Sequence, residues 1–197
     1  MTTSQATATQ TDSREQPAPK NLQEALAGAH TQSGVSLLDL SKKSPLLVVL
    51  LRHLGCTFCR EALADLKERR AELEQSGVQI VLVQMAPDSD AAPVFARYGL
   101  GDVHRVSDPD KHLYRAFELK RGRLGQLFGF KVWIRGFVAG ILNRHGAGKL
   151  AGDGFQMPGA FLVADGRIVR AFRHRSAADR PDYTDLAGCS GGACAAT

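Results

Sequence analysis

The chain has 197 residues, of which 44% are hydrophobic and 23% charged, and a formal net charge of +5. That length supports one core of ordinary size and leaves two independent domains cramped, while the composition is that of a globular protein, neither disordered nor membrane-spanning. Lys and Arg are spread along the sequence with no basic block and no alternation of aromatic and basic residues, so the positive balance predicts a basic surface and no nucleic-acid partner.

Residues 1–20 are rich in Thr, Gln and Pro and contain no apolar stretch. They predict a disordered tail and no secretory leader. A short helix is expected over 22–27, followed by a loop. Residues 46–51 form a continuous apolar run of strand length, as in a central strand covered on both faces. A helix begins at Cys56 and keeps Leu63, Leu66 and Leu73 at helical spacing to residue 75, where Gly77 ends it. A second buried strand is expected over 78–85, a helix over 88–98 and a short strand over 104–106. Asp108 and Pro109 then predict a helix through Phe117, with Asp as N-cap and Pro in the first helical position.

Residues 121–155 read as an insertion, Gly-rich at both ends, with Phe128, Trp133, Phe137 and Ile141 interrupted by Lys131, Arg135 and Arg144. Charges at those places forbid a membrane span. A helical flap over the active-site face, a homodimer surface and a basic amphipathic surface helix all remain open. Strands over 160–164 and 167–172 are joined by Asp165 and Gly166, a strong short hairpin signal. A last short helix follows, then a flexible Cys- and Gly-containing tail over 188–197. Strands alternating with helices and ending in a hairpin define one α/β domain over 21–187. Its central mixed sheet is flanked by helices, with the insertion before the last hairpin.

The chemistry is concentrated at Cys56 and Cys59. Four cysteines in a chain this long are too few for a disulfide framework and fit a reducing, cytoplasmic compartment, where a Cys-x-x-Cys is catalytic or metal-binding. The pair follows a buried strand and opens a helix, whose N-terminus favours a thiolate. Gly55 leaves room for a second molecule to approach the sulfur. Three-residue spacing puts the second thiol one turn along, within reach of a disulfide. Arg52 and His53 are expected to add positive charge and lower the Cys56 pKa. Cys56 is then the nucleophile and Cys59 the resolving thiol, with Thr57 and Phe58 beside them. Met157-Pro158, directly before a strand, is a candidate cis peptide facing the dithiol, leaving the Met157 backbone free for an extended substrate.

Four stretches together carry a resemblance: residues 51–61 (LRHLGCTFCRE), 107–117 (SDPDKHLYRAF), 152–163 (GDGFQMPGAFLV) and 172–183 (FRHRSAADRPDY). Across about residues 35–186 the chain resembles the thioredoxin-like superfamily and, within it, the peroxiredoxin-like AhpC/TSA proteins related to selenoprotein L. The resemblance implies a thioredoxin-like fold and thiol-dependent redox activity, with both sulfur positions taking part because selenoprotein L-like members carry selenocysteine at both. It also implies an Arg from a later strand at the thiolate, for which Arg173 and Arg175 are the candidates. His53 and Val49 stand where typical peroxiredoxins carry a Thr or Ser and a Pro, and Leu50 stands where thioredoxins carry a buried Asp.

Cys189 and Cys194 could form an electron relay to the first pair, complete a four-thiolate zinc site with it, or be incidental. The favoured expectation is a thiol-disulfide oxidoreductase that reduces a peroxide or disulfide through a Cys56–Cys59 disulfide. An external dithiol such as a thioredoxin or glutathione system regenerates it, and no cofactor or metal is required. A thiolate metal-binding protein and a redox-sensing interaction module are the alternatives.

Overall fold

The computed structural model describes residues 21–122, 153–176 and 178–189. The tail expected over 1–20, most of the insertion, and Cys194 lie outside the described residues. In chain order the elements are α1 (Leu22–Gly28), α2 (Leu37–Lys43), β1 (Leu46–Leu50), α3 (Thr57–Gln75), β2 (Gln79–Gln84), α4 (Asp88–Arg97), β3 (His104–Ser107), α5 (His112–Ala116), β4 (Gly159–Ala164), β5 (Arg167–Arg173) and α6 (Tyr183–Leu186).

The strands form one sheet in the order β3-β2-β1-β4-β5. The β1, β2 and β3 strands run parallel, and β4 lies antiparallel to both β1 and β5. The mixed sheet expected from the element order is therefore present. All five residues of β1 are buried, because alternate side chains enter two separate cores. Leu47, Val49 and Leu51 join residues of α3, α4 and α6 on one face. Leu46, Val48 and Leu50 join α1, α2 and α5 on the other. Among the described residues no helix is long and apolar enough to cross a membrane.

One local feature goes beyond the expected elements and one differs from them. The segment over 37–43 is a helix, started by a reciprocal cap: the Asp39 N–H donates to Ser36 Oγ (3.1 Å) and Ser36 Oγ donates to Asp39 Oδ2 (2.7 Å). Asp108 caps α5 from a distance, without starting a helix at Pro109. A turn intervenes, Lys111 takes a left-handed φ of 60°, and the Asp108 carboxylate accepts the N–H groups of His112 (2.8 Å) and Leu113 (2.9 Å).

The hairpin between β4 and β5 forms as expected, with φ of 49° at Asp165 and 69° at Gly166, the two positive values of a type I′ turn. It is tied to α2 by the Gly166 N–H, which donates to Ser41 Oγ at 3.0 Å. A Cβ at Gly166 would stand 2.7 Å from Leu38 Cδ1. Gly166→Ala should therefore destabilise the protein by about 1–3 kcal/mol, read as a lowered midpoint in urea denaturation; an unchanged midpoint would contradict the turn geometry.

Candidate active site

The parallel strand β1 ends at Leu50, a five-residue loop turns back, and Cys56 occupies the N-cap of α3. The turn is closed by the Cys56 N–H donating to the His53 carbonyl at 3.0 Å. This places both sulfurs at the C-terminal edge of the parallel strands, where open α/β sheets bind their ligands. Cys56 and Cys59 are free thiols, each 5% exposed.

The two sulfurs are unlike. The Cys59 thiol donates to the Cys56 sulfur, and this bond is the largest influence lowering the Cys56 pKa to about 6. Burial opposes it, while the Arg52 charge and the N–H groups of Cys59 and Phe58 assist. Cys59 moves the other way, well above its ordinary value, because it gives its proton to that bond, is buried, and faces the Cys56 charge. The backbone N–H groups of His53 and of Arg52, the latter donating to Cys59 Sγ at 3.3 Å, partly offset this rise. At neutral pH the pair holds one thiolate and one thiol in a single hydrogen bond.

His53 does not add the charge expected of it. Burial, then the neighbouring Arg52 charge, lowers the His53 pKa to about 4, so its ring is neutral at pH 7. Arg52 Nη2 lies 3.1 Å from His53 Nε2, and an arginine can only donate, so Nε2 accepts and the proton sits on Nδ1. Arg52 Nε and Nη1 are buried with no hydrogen-bond partner among the described residues.

The thiols line a narrow cleft whose accessible volume is about 20 Å³. Its lining combines apolar residues, among them Val49, Leu51, Phe58 and Pro158, with polar ones that include Glu61, His174, Asp179 and Arg180. Phe58 also packs on Met157. Gly55 is buried and Thr57 half-buried beside the pair, and neither lines the cleft.

Three expectations are corrected here. The Met157-Pro158 peptide is trans. Met157 is not free to pair with an extended chain: its N–H donates to the Lys120 carbonyl (3.2 Å), and its carbonyl accepts Gln156 Nε2 (3.3 Å). Arg173 does not enter the cleft. Its neighbour Phe172 points to the thiol face, so strand alternation sends Arg173 to the opposite face. There its guanidinium lies 5.2 Å from the Phe161 ring, donates to the Phe117 carbonyl (3.1 Å) and pairs with Glu118 (3.1 Å).

A second arginine lining the cleft is Arg180, which the sequence reading did not select. It donates to Glu61 Oε1 at 2.7 Å and, through Nε, to Asp65 Oδ2 at 3.0 Å. Glu61 is only 5% exposed. Two acids four residues apart on one helix repel unless a cation lies between them, and that spacing was the available signal. His174 is mostly buried, and burial lowers its pKa to about 4, so it too is neutral.

Cys189 is buried in the same core as Cys59 and is disulfide-bonded. Among the described residues no group of three or more His, Cys, Asp and Glu is gathered to hold a metal.

Comparison with known proteins places the chain in a family. The model of a family described as AhpC/TSA antioxidant enzyme matches residues 65–177, beginning beyond Cys56 and Cys59. Peroxiredoxin-like 2A of Homo sapiens is 29% identical over 143 residues, covering 70% of this chain and 58% of the relative; the chain thus spans about three fifths of that protein's length. A prostamide/prostaglandin F synthase of Sus scrofa is 30% identical over 166 residues, covering 78% of this chain and 77% of the relative. Among solved structures, the bacterioferritin comigratory protein of Xanthomonas campestris superimposes with a TM-score of 0.53 at 19% identity, over 76% of this chain and 82% of that one. The fold is thioredoxin-like, as the resemblance implied.

The unequal thiols predict how alkylation depends on pH. Iodoacetamide should modify Cys56 with a midpoint near pH 6. Cys59→Ala should raise that midpoint more than Arg52→Met does, because the S–H bond is the larger influence. The reverse order, measured by mass spectrometry of the modified peptide, would contradict the hydrogen-bonded pair.

Proposed function

Because the chain belongs to the AhpC/TSA antioxidant-enzyme family, we propose that it is a thiol-dependent oxidoreductase acting through Cys56 and Cys59 on a peroxide or a disulfide. The observation that carries this reading is the asymmetric pair: a thiolate at the helix N-cap, held by the proton of the thiol that would later attack it.

With a hydroperoxide, the Cys56 thiolate attacks one oxygen, the O–O bond breaks, and the departing oxygen takes a proton to leave as water or an alcohol. Cys56 becomes a sulfenic acid. Cys59 then attacks the Cys56 sulfur, the S–O bond breaks, and the hydroxide leaves as water with the Cys59 proton. With a disulfide, the first step gives a mixed disulfide and a free thiol, and Cys59 releases the second thiol. Both routes oxidise two thiols by two electrons and end in the same Cys56–Cys59 disulfide. An external dithiol, from a thioredoxin or glutathione system in a reducing compartment such as the cytoplasm, would restore the pair.

Arg52 has two parts in this scheme. Its charge favours the thiolate, and its unpaired Nε and Nη1 donors suit the negative charge that develops on the departing oxygen. They would serve where His53 offers no hydroxyl. Pro158 and Phe58 would shape the apolar part of the cleft. The low exposure of Cys56 favours a hydroperoxide over a bulky protein disulfide.

A quenched single turnover of the reduced protein tests the reading, with hydrogen peroxide and a small disulfide run side by side. Wild type should lose two hydrogens across Cys56 and Cys59 by mass spectrometry. Cys56→Ser should abolish turnover, and Cys59→Ser should trap a sulfenic acid or mixed disulfide; undiminished turnover in Cys56→Ser would rule the scheme out.

A further inference from the structure

Tyr114 lies on the face of the sheet opposite the thiols, fully buried in the core built from α1, α2 and α5. Its hydroxyl donates to the Leu51 carbonyl at 2.5 Å; the Val83 carbonyl, at 3.3 Å, is a second and longer contact. Leu51 is joined to Arg52 by one peptide unit. The N–H of that same unit donates to Cys59 Sγ at 3.3 Å. The Cys59 thiol in turn donates to the Cys56 sulfur.

Four groups therefore stand in line: the Tyr114 O–H, the Leu51–Arg52 amide, the Cys59 S–H and the Cys56 thiolate. Each bond runs in the same sense, toward the negative charge. A hydrogen bond accepted at an amide oxygen makes the amide N–H a stronger donor, and chains of such bonds reinforce one another where the local dielectric is low. The carbonyl end lies in one core and the sulfur end in the other, so the peptide carries this polarisation through the sheet.

We propose that Tyr114 is a positioning residue for the redox pair, acting through the Leu51–Arg52 peptide to stabilise the reduced dithiol against the disulfide. Resting on the dithiol reading above, it adds a residue from the far side of the sheet that touches neither sulfur. In the disulfide the S–H is gone and the sulfurs carry no net charge, so the last link is lost and the amide donor gains much less. The relay thus favours reduction of the disulfide. A hydroxyl that only satisfied the Leu51 carbonyl would contribute to folding and leave this balance untouched.

Tyr114→Phe removes the O–H and keeps the ring. Reduced wild type and variant are equilibrated with glutathione buffers, in which two protein thiols and one oxidised glutathione give the protein disulfide and two reduced glutathiones. The dithiol–disulfide equilibrium of Tyr114→Phe should shift toward the disulfide by about threefold to tenfold, the upper value corresponding to about 30 mV. The Cys56 alkylation midpoint should rise in the same variant. Phe117→Leu, a fully buried change beside α5 that leaves the Leu51 carbonyl alone, should lower thermal stability without moving either quantity. If Tyr114→Phe loses thermal stability but keeps the wild-type equilibrium and midpoint, the hydroxyl is structural and the relay is overturned. If both variants shift the equilibrium alike, general loosening is the cause and the relay is again overturned. Failure of wild type to form a Cys56–Cys59 disulfide would overturn the dithiol reading itself, a result distinct from either.

Discussion

One proton shared between two buried sulfurs organises the chemistry of this protein. A thiolate in an apolar setting is costly unless donors reach it, and here the donors are the neighbouring thiol, two amides of the first helical turn and a guanidinium charge. Each depends on a different part of the fold. The amides need α3 to start at Thr57. The guanidinium needs the loop after β1 to turn back over the helix. The thiol needs the three-residue spacing that one helical turn supplies. If β1 slipped by one residue in register, the side chains entering the two cores would exchange faces, and the loop that carries Arg52 would move with them.

The same arrangement shifts the two cysteines in opposite directions from nearly identical burial. Cys56 and Cys59 are equally exposed, so burial alone would raise both pKa values. The direction of one hydrogen bond separates them. On the proposed reading Cys56 would attack while Cys59 stays protonated, and oxidation of the first would remove the partner that held the proton of the second.

Much of this was legible in the sequence because it is local. The apolar runs of β1 and β2, the Asp165-Gly166 turn and the strand–thiol–helix order follow from neighbouring residues. What was lost depended on distance or parity. The α2 helix carried a readable cap in Ser36 and Asp39, but its apolar run is too short to show a period. Asp108 was recognised as a capping residue, yet it acts across a turn that sequence spacing does not reveal. The choice of Arg173 failed on a single step of strand parity, since Phe172 and Arg173 face opposite cores. Arg180 follows irregular chain, and its acids stand 119 and 115 residues earlier. The neutrality of His53 comes from burial, which no count of nearby charges discloses.

The last strand of the sheet bears on how the molecule meets its own copies. Among the described residues β5 pairs only with β4, and most of its side chains are exposed, Val169 at 56%. A bare strand of this kind invites another sheet to extend it. Along it stand Arg167, Arg170 and Arg173, so an antiparallel pairing of two copies would bring cations against cations across the seam. The arginines that hold the local structure together thus also guard the open side of the sheet against fibrous self-association.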